Sequence, residues 1–296
     1  MNTVDSKSIN IDYATFTDTS AAGCVALKGL AEEMESRVSR GDGPTRARWS
    51  MRGYKGWKRG PVAYGEGEYG VMLMVAGALA QEACETTWSD IHRVRRLDIA
   101  YTILLHSPDP GIIERMFDEP PGQVADHRVS KYKSLIKNTD LGETMYLGKR
   151  GSDVFCRLYD KGAQSGQYTP GQLLRYEVEL KRDVAQAHFD ALKAMNFDVE
   201  AQASIVEQMF EKRGYPVVGS DAGDRISVDL TAYSGTKELN LGFLSRTVGP
   251  YLRKLVEAGY SKDVSRELQF LLIDPHTGEV LGGVSSQESE KQNGSR

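Results

Sequence analysis

Two short stretches, Val154–Tyr159 and Arg175–Lys181, alternate strictly between apolar and polar side chains. In the first, the period of two sets Phe155, Arg157 and Tyr159 on one face and Val154, Cys156 and Leu158 on the other. In the second, Arg175, Glu177, Glu179 and Lys181 share a face, with Tyr176, Val178 and Leu180 behind them. A helix cannot hold such a pattern, because its period of 3.6 would scatter both sets around the axis. The pattern is that of strands with one face on a core and the other free for chemistry, as antiparallel sheets allow.

The flanking sequence extends this reading. Arg48–Tyr54 and Pro61–Glu68 read as paired strands with a turn near Gly56–Gly60. Tyr69–Ala76 and Val94–Leu104 read as further strands, and Thr144–Gly148 forms a hairpin with Val154–Tyr159. Helices are expected at Ser20–Arg40, Ala78–Trp88 and Gly111–Phe117. Beyond Lys181 the texture turns helical, at Asp183–Met195, Glu200–Lys212, Gly249–Gly259 and Lys262–Leu272. The expected fold class is α+β: an antiparallel-dominated sheet domain with flanking helices, followed by a small helical C-terminal domain. In residues this gives a flexible or edge-strand lead-in at 1–20, a catalytic sheet domain at 21–182, a helical domain at 183–284 and a disordered tail at 285–296.

Composition narrows the function classes. The longest apolar run, Val71–Ala80, is too short to span a bilayer, and the N-terminus lacks the pattern of a signal peptide. Cys24, Cys84 and Cys156 are odd in number and far apart, which suits reduced thiols and a cytoplasmic location. A net charge of −4 excludes a general polyanion binder. Basic residues are nevertheless concentrated between Arg37 and Arg59, among them Arg46, Arg48, Arg52 and Lys58, with Trp49, Tyr54 and Trp57 interleaved. Cations that neutralise phosphates beside rings that stack on bases suit a nucleic-acid groove; a solvated basic loop is the alternative. No GxxxxGK[ST] and no His-hydrophobic-His pair occurs, so neither an ATP-driven motor nor a histidine metal site is expected.

The run T-x-Y-L-G-x-R-x-S-x(5)-L-Y-D-K-G from Thr144, followed by R-Y-E-x-E-L-K from Arg175, resembles the replication initiation factors of rolling-circle plasmids and filamentous phages. Arg95–Thr102 is similar to the R-x-D-x-A strand of that family. The resemblance implies a DNA-nicking, strand-transferring endonuclease with Tyr159 as nucleophile. A free phenol, with a pKa of about 10, needs help to ionise near neutrality. Lys161, two residues on, is expected to supply that help from the same strand face, with Arg157 on the other side of the tyrosine. Asp98, Glu177 and Glu179 are implied as ligands of Mg2+ or Mn2+, hard cations that take oxygen donors. A structural ion pair between Arg96 and Asp98, which share a face, is the rival reading of that acid.

Arg150 and Arg157 are expected to contact DNA phosphate, together with Arg46, Arg48, Arg52, Trp49, Trp57 and Lys58. Implied partners are double-stranded origin DNA, the single-stranded nick site, and a host helicase and polymerase, with room for a homodimer and no membrane. One departure stands out: Ala100 and Thr102 occupy places where the family often carries a second acid. That departure favours the alternative function, a non-catalytic origin-binding regulator on the same scaffold.

Overall fold

The computed structural model describes residues 3–38, 45–68, 70–86, 93–121, 132–138 and 142–220. Residues up to Tyr233 form one unit and Ser234–Arg296 a second. The second unit, with the expected helices at 249–259 and 262–272 and the expected tail, lies outside the described residues.

The described residues build a ten-stranded antiparallel sheet. Its strands are β1 (Val4–Asp18), β2 (Ala47–Met51), β3 (Tyr54–Arg59), β4 (Val62–Gly67), β5 (Gly70–Ala76), β6 (Arg93–Leu105), β7 (Lys133–Asn138), β8 (Gly142–Leu147), β9 (Val154–Asp160) and β10 (Leu173–Lys181). They lie in the order β2-β3-β4-β5-β1-β6-β10-β9-β8-β7. The helices are α1 (Ala21–Arg37), α2 (Ala78–Glu85), α3 (Ile112–Asp118), a short α4 (Lys161–Ser165), α5 (Arg182–Ala194) and α6 (Val199–Glu211).

Alternation decides which face meets the helices. On β6, Leu97, Ile99, Tyr101 and Ile103 are buried in one core with Tyr176, Val178 and Leu180 of β10 and Cys156 and Leu158 of β9. Leu27 and Met34 of α1, Ala83 of α2, Phe189 and Leu192 of α5, and Ile205 and Phe210 of α6 complete that core. The Tyr176 ring meets Phe210 edge-on at 5.0 Å, and its hydroxyl accepts from the backbone N–H of Val218 at 3.4 Å. Helix starts are fixed locally: Ser20 Oγ accepts from Gly23 N at 3.0 Å, and Asp198 accepts from Glu200 N at 2.9 Å.

Three expectations need correction. The N-terminal lead-in is the central strand β1, paired with β5 on one side and β6 on the other. Its first half is polar because it runs beyond the core, whereas Ile11, Ala14 and Phe16 are fully buried. The basic hairpin turns at Arg52 and Gly53, both at positive φ, and Gly56 lies within β3. The expected turn near Gly56–Gly60 is met only at its far end, where Gly60, at positive φ, joins β3 to β4. Finally, α5 and α6 enter the sheet's own core, so a division at Arg182 would cut through shared packing.

Candidate active site on the open sheet face

The face opposite the helices carries the chemistry, and the ladder register sets its geometry. On β10, Arg175 lies opposite Tyr159 of β9 and Thr102 of β6, while Glu177 lies opposite Arg157 and Ala100. Glu179 lies opposite Phe155 and Asp98, and Lys181 opposite Arg96. Directly opposed side chains on one face have Cβ atoms about 5 Å apart. Tyr159, Arg157 and the three expected acids therefore form one constellation, as alternation implies.

The acids lie beneath a layer of basic side chains. Asp98, Glu177 and Glu179 are 2%, 5% and 5% exposed. Asp98 accepts from Arg96 Nε at 2.8 Å and Nη2 at 2.5 Å, which bears out the ion pair raised as its rival role. Arg96 Nη2 also reaches Glu179 at 2.9 Å, and Lys181 binds the other oxygen of Glu179. Arg157 Nη2 lies 2.9 Å from Glu177 and 3.7 Å from Asp98. The Arg96 guanidinium in turn sits over the Tyr13 ring at 4.4 Å.

Burial nevertheless outweighs these partners for two of the acids. Loss of water pushes the Asp98 carboxyl above the usual carboxylate range, against the pull of Arg96. The same loss raises Glu177, against the pull of Arg157. Such under-compensated oxygen donors fit a hard divalent cation in chemistry. Among the described residues, though, no three His, Cys, Asp or Glu side chains are disposed to hold an ion. Arg96, Arg157 and Lys181 already bind oxygens of these carboxylates.

Tyr159 is half-buried, and its phenol is pushed up to about 12, first by loss of water and then by the charge of Glu177. Arg175 and Arg157 pull the other way without prevailing. Lys161 does not stand where alternation puts it. β9 ends at Asp160, whose carboxylate accepts from Ala163 N at 2.9 Å and caps α4, so Lys161 begins a helix and donates to Gln164 at 3.2 Å.

The basic segment is divided between the two faces. Ala47, Lys58, Ala63, Met74, Thr15 and Arg96 share one row of paired residues, so Lys58 stands on the chemical face. Trp49 is on that face too, lying over the bare backbone of Gly65, where a Cβ would come within 2.7 Å of the ring. Arg48 and Trp57 face the other way, in the row of Tyr64, Leu73 and Phe16. Arg46 lies over the Trp57 ring at 4.5 Å and donates to Glu35 of α1, with Nε at 2.6 Å. The segment is therefore not one groove, because neighbouring residues of a strand point to opposite faces. Arg52 occupies the β2–β3 turn, and Arg150 is exposed in the β8–β9 turn, where its carbonyl accepts from Lys181 at 2.6 Å.

The family of replication initiation factors matches residues 92–272, a span that contains β6 through β10 and so every side chain of the constellation named from those strands. The chain belongs to that family. Among solved structures, a rolling circle replication initiator protein from Geobacillus stearothermophilus shares the fold. Its TM-score is 0.50 at 15% identity, over 78% of this chain and 96% of that one. No curated protein matches the chain. Among the described residues, no helix is long and apolar enough to cross a membrane.

The site also contains a residue that strand alternation does not point to. The ladder between β1 and β6 shifts register between Ile11 and Tyr13, which leaves Asp12 as the extra residue of a bulge. Its carboxylate lies 2.8 Å from Arg175 Nη2. The signal available in the sequence was only an acid beside an apolar run, Asp12 before Tyr13–Phe16.

Proposed function

We propose that this replication initiation factor starts rolling-circle synthesis by nicking one strand of origin DNA through Tyr159. The phenolate oxygen attacks the scissile phosphorus as the bond to the 3′ oxygen breaks. The protein becomes joined through a 5′-phosphotyrosine, and the released 3′ oxygen takes a proton to become the 3′-OH primer. The observation that supports this reading best is the placement of Tyr159 on one open face with Arg175 on its own rung, Arg157 and Glu177 on the next, and Glu179 and Asp98 on the one after.

Asp98, Glu177 and Glu179 would hold Mg2+ or Mn2+ only once Arg96, Arg157 and Lys181 release their oxygens, and a bound ion would then supply Lewis-acid polarisation of the phosphate. Arg157 orients the substrate phosphate, as a forked guanidinium suits a phosphodiester. Lys58 and Trp49, on the same face, extend the surface for single-stranded DNA by charge and stacking. Arg52 and Arg150, in the turns, contact the DNA backbone at the rim, while Arg48 lies on the other face with Arg46 and Trp57, which support the hairpin. Residues beyond Tyr233 are left for origin recognition and for contacts with a host helicase or a second copy.

The deciding assay is a covalent protein–DNA adduct on single-stranded origin oligonucleotide in Mg2+ or Mn2+. Tyr159→Phe should form none while still binding the oligonucleotide; undiminished adduct would transfer the role to Tyr132, Tyr146 or Tyr168. A non-catalytic origin-binding regulator remains the second reading, favoured by the ion pairs that already hold the acids. Metal-dependent relaxation of supercoiled origin DNA by the wild type would exclude it.

A further inference from the structure

The Asp12–Arg175 pair joins strands that are not neighbours. Arg175 stands on β10 and Asp12 on β1, with β6 between them. Two features permit the reach. The β1 bulge puts both Asp12 and Tyr13 on the chemical face, where strict alternation would allow only one of them. Ala100 of β6 presents only a methyl group there. Arg175 reaches across β6 to Asp12, and its side chain is only 12% exposed.

Its donors are incompletely used. Arg175 Nη2 is at ion-pair distance from Asp12 but off the hydrogen-bond axis, and Nε has no acceptor. Arg157 likewise has a buried Nε without an acceptor, although its Nη2 is held by Glu177. Buried guanidinium N–H groups without acceptors are costly. These two arginines flank Tyr159: Arg175 is opposite it across the ladder, and Arg157 is two residues before it on the same strand face. A tetrahedral anion with several acceptor oxygens can engage both forks at once.

We propose that Arg175, latched by Asp12, forms with Arg157 the seat that holds the scissile phosphodiester beside Tyr159. This rests on the reading of Tyr159 as the nucleophile. Arg175 touches the substrate, whereas Asp12 is a positioning residue that acts only through Arg175.

The test uses the full chain with 3-fluorotyrosine at position 159, whose fluorine signal reports locally on occupancy of the site. Titration with a pentathymidylate, the phosphodiester probe, should shift that signal to saturation. Arg175→Gln should weaken the saturation by about tenfold or more, the loss expected for a charge-assisted contact. Asp12→Asn, which keeps the shape but not the charge, should weaken it by at least about threefold without abolishing it. Unchanged saturation in Arg175→Gln overturns the seat. Weak saturation in Arg175→Gln with wild-type behaviour in Asp12→Asn overturns the latch. Should Arg175→Gln fail to fold, as judged by circular dichroism and melting, Arg175→Lys carries the test. It keeps the charge and loses the fork, so weaker saturation supports the seat and equal saturation overturns it. Adduct formation by Tyr159→Phe would sink the nucleophile reading separately, because the fluorine titration reads occupancy whether or not Tyr159 reacts.

Discussion

The phenol of Tyr159 yields the sharpest prediction. Burial and the charge of Glu177 push it up to about 12. At pH 7.5 only about one molecule in thirty thousand then carries the phenolate, roughly a hundredfold fewer than for a phenol at its ordinary value of about 10. If ionisation precedes attack, the rate of single-turnover adduct formation should climb nearly tenfold per pH unit, about a hundredfold between pH 7 and 9. The sign follows from the direction of the shift, since a raised phenol gains its reactive form only as pH rises. The assay is rapid-quench trapping of the covalent adduct on single-stranded origin oligonucleotide, with protein in excess so that product release does not intrude. Fluorinating Tyr159 makes the phenol more acidic and should move the whole profile to lower pH. A flat profile across this range, unmoved by fluorination, would refute the reasoning: either the phenol is already ionised in the complex or another group attacks.

Other expectations follow from the same geometry. Asp98→Asn and Glu177→Gln should each suppress adduct formation, with weakened Mn2+ binding measured by calorimetry; normal nicking across a Mg2+ titration would make both acids structural. Lys58→Ala should reduce the slope of log K against log salt for oligonucleotide binding by roughly 0.7, one single-strand phosphate contact. Arg46→Ala should leave that slope alone and lower the melting temperature instead. Arg46 holds the Glu35 carboxyl below its usual range, so the pair stabilises at neutral pH and is lost on acidification through the folded value; the Arg46→Ala penalty should shrink in the same direction. A chain ending at Arg182 should fail to fold, because it loses Phe189, Leu192, Ile205 and Phe210 from the core. At about 2 kcal/mol each, those side chains match the whole stability of an ordinary domain. A chain ending at Ser220 should keep the sheet, and a soluble, cooperatively melting product ending at Arg182 would contradict the shared core.

Much of the fold is written in hydrophobic alternation. β6, β8, β9 and β10 are legible because each sets apolar side chains against one core, and the faces of Asp98, Glu177, Glu179, Arg157 and Tyr159 follow from parity alone. The signal fails where parity is broken or masked. β1 passes for a polar lead-in because Asp5, Ser6 and Lys7 lie outside the core. β7 has a mostly exposed edge pattern with little alternation. Lys161 is misplaced because the Asp160 cap ends the strand one residue earlier than alternation assumes. Asp12 enters the site through a bulge, and a bulge has no signature in the order of apolar residues. The basic segment looks like a single patch in sequence, yet strand geometry sends Arg48 and Lys58 to opposite faces.

The same apolar residues that make the strands recognisable also fix the spacing of the reacting groups. A slip of one residue between β10 and its neighbours would bring Arg175, Glu177 and Glu179 into the core and expose Tyr176, Val178 and Leu180. Such a slip would part Glu179 from Arg96, Glu177 from Arg157 and Arg175 from Asp12. Breaking a single buried pair by losing one partner costs about 3–5 kcal/mol, so several broken together would exceed the stability of the domain. The register is therefore guarded from both faces, by burial on one and by charge pairing on the other. The proposed attack of a tyrosine oxygen on phosphorus would gain from this arrangement, because rungs of a sheet hold their positions better than loops do. The ion pairs that hold the acids thus have a second effect: they keep the carboxylates, the arginines and Tyr159 aligned before any DNA arrives.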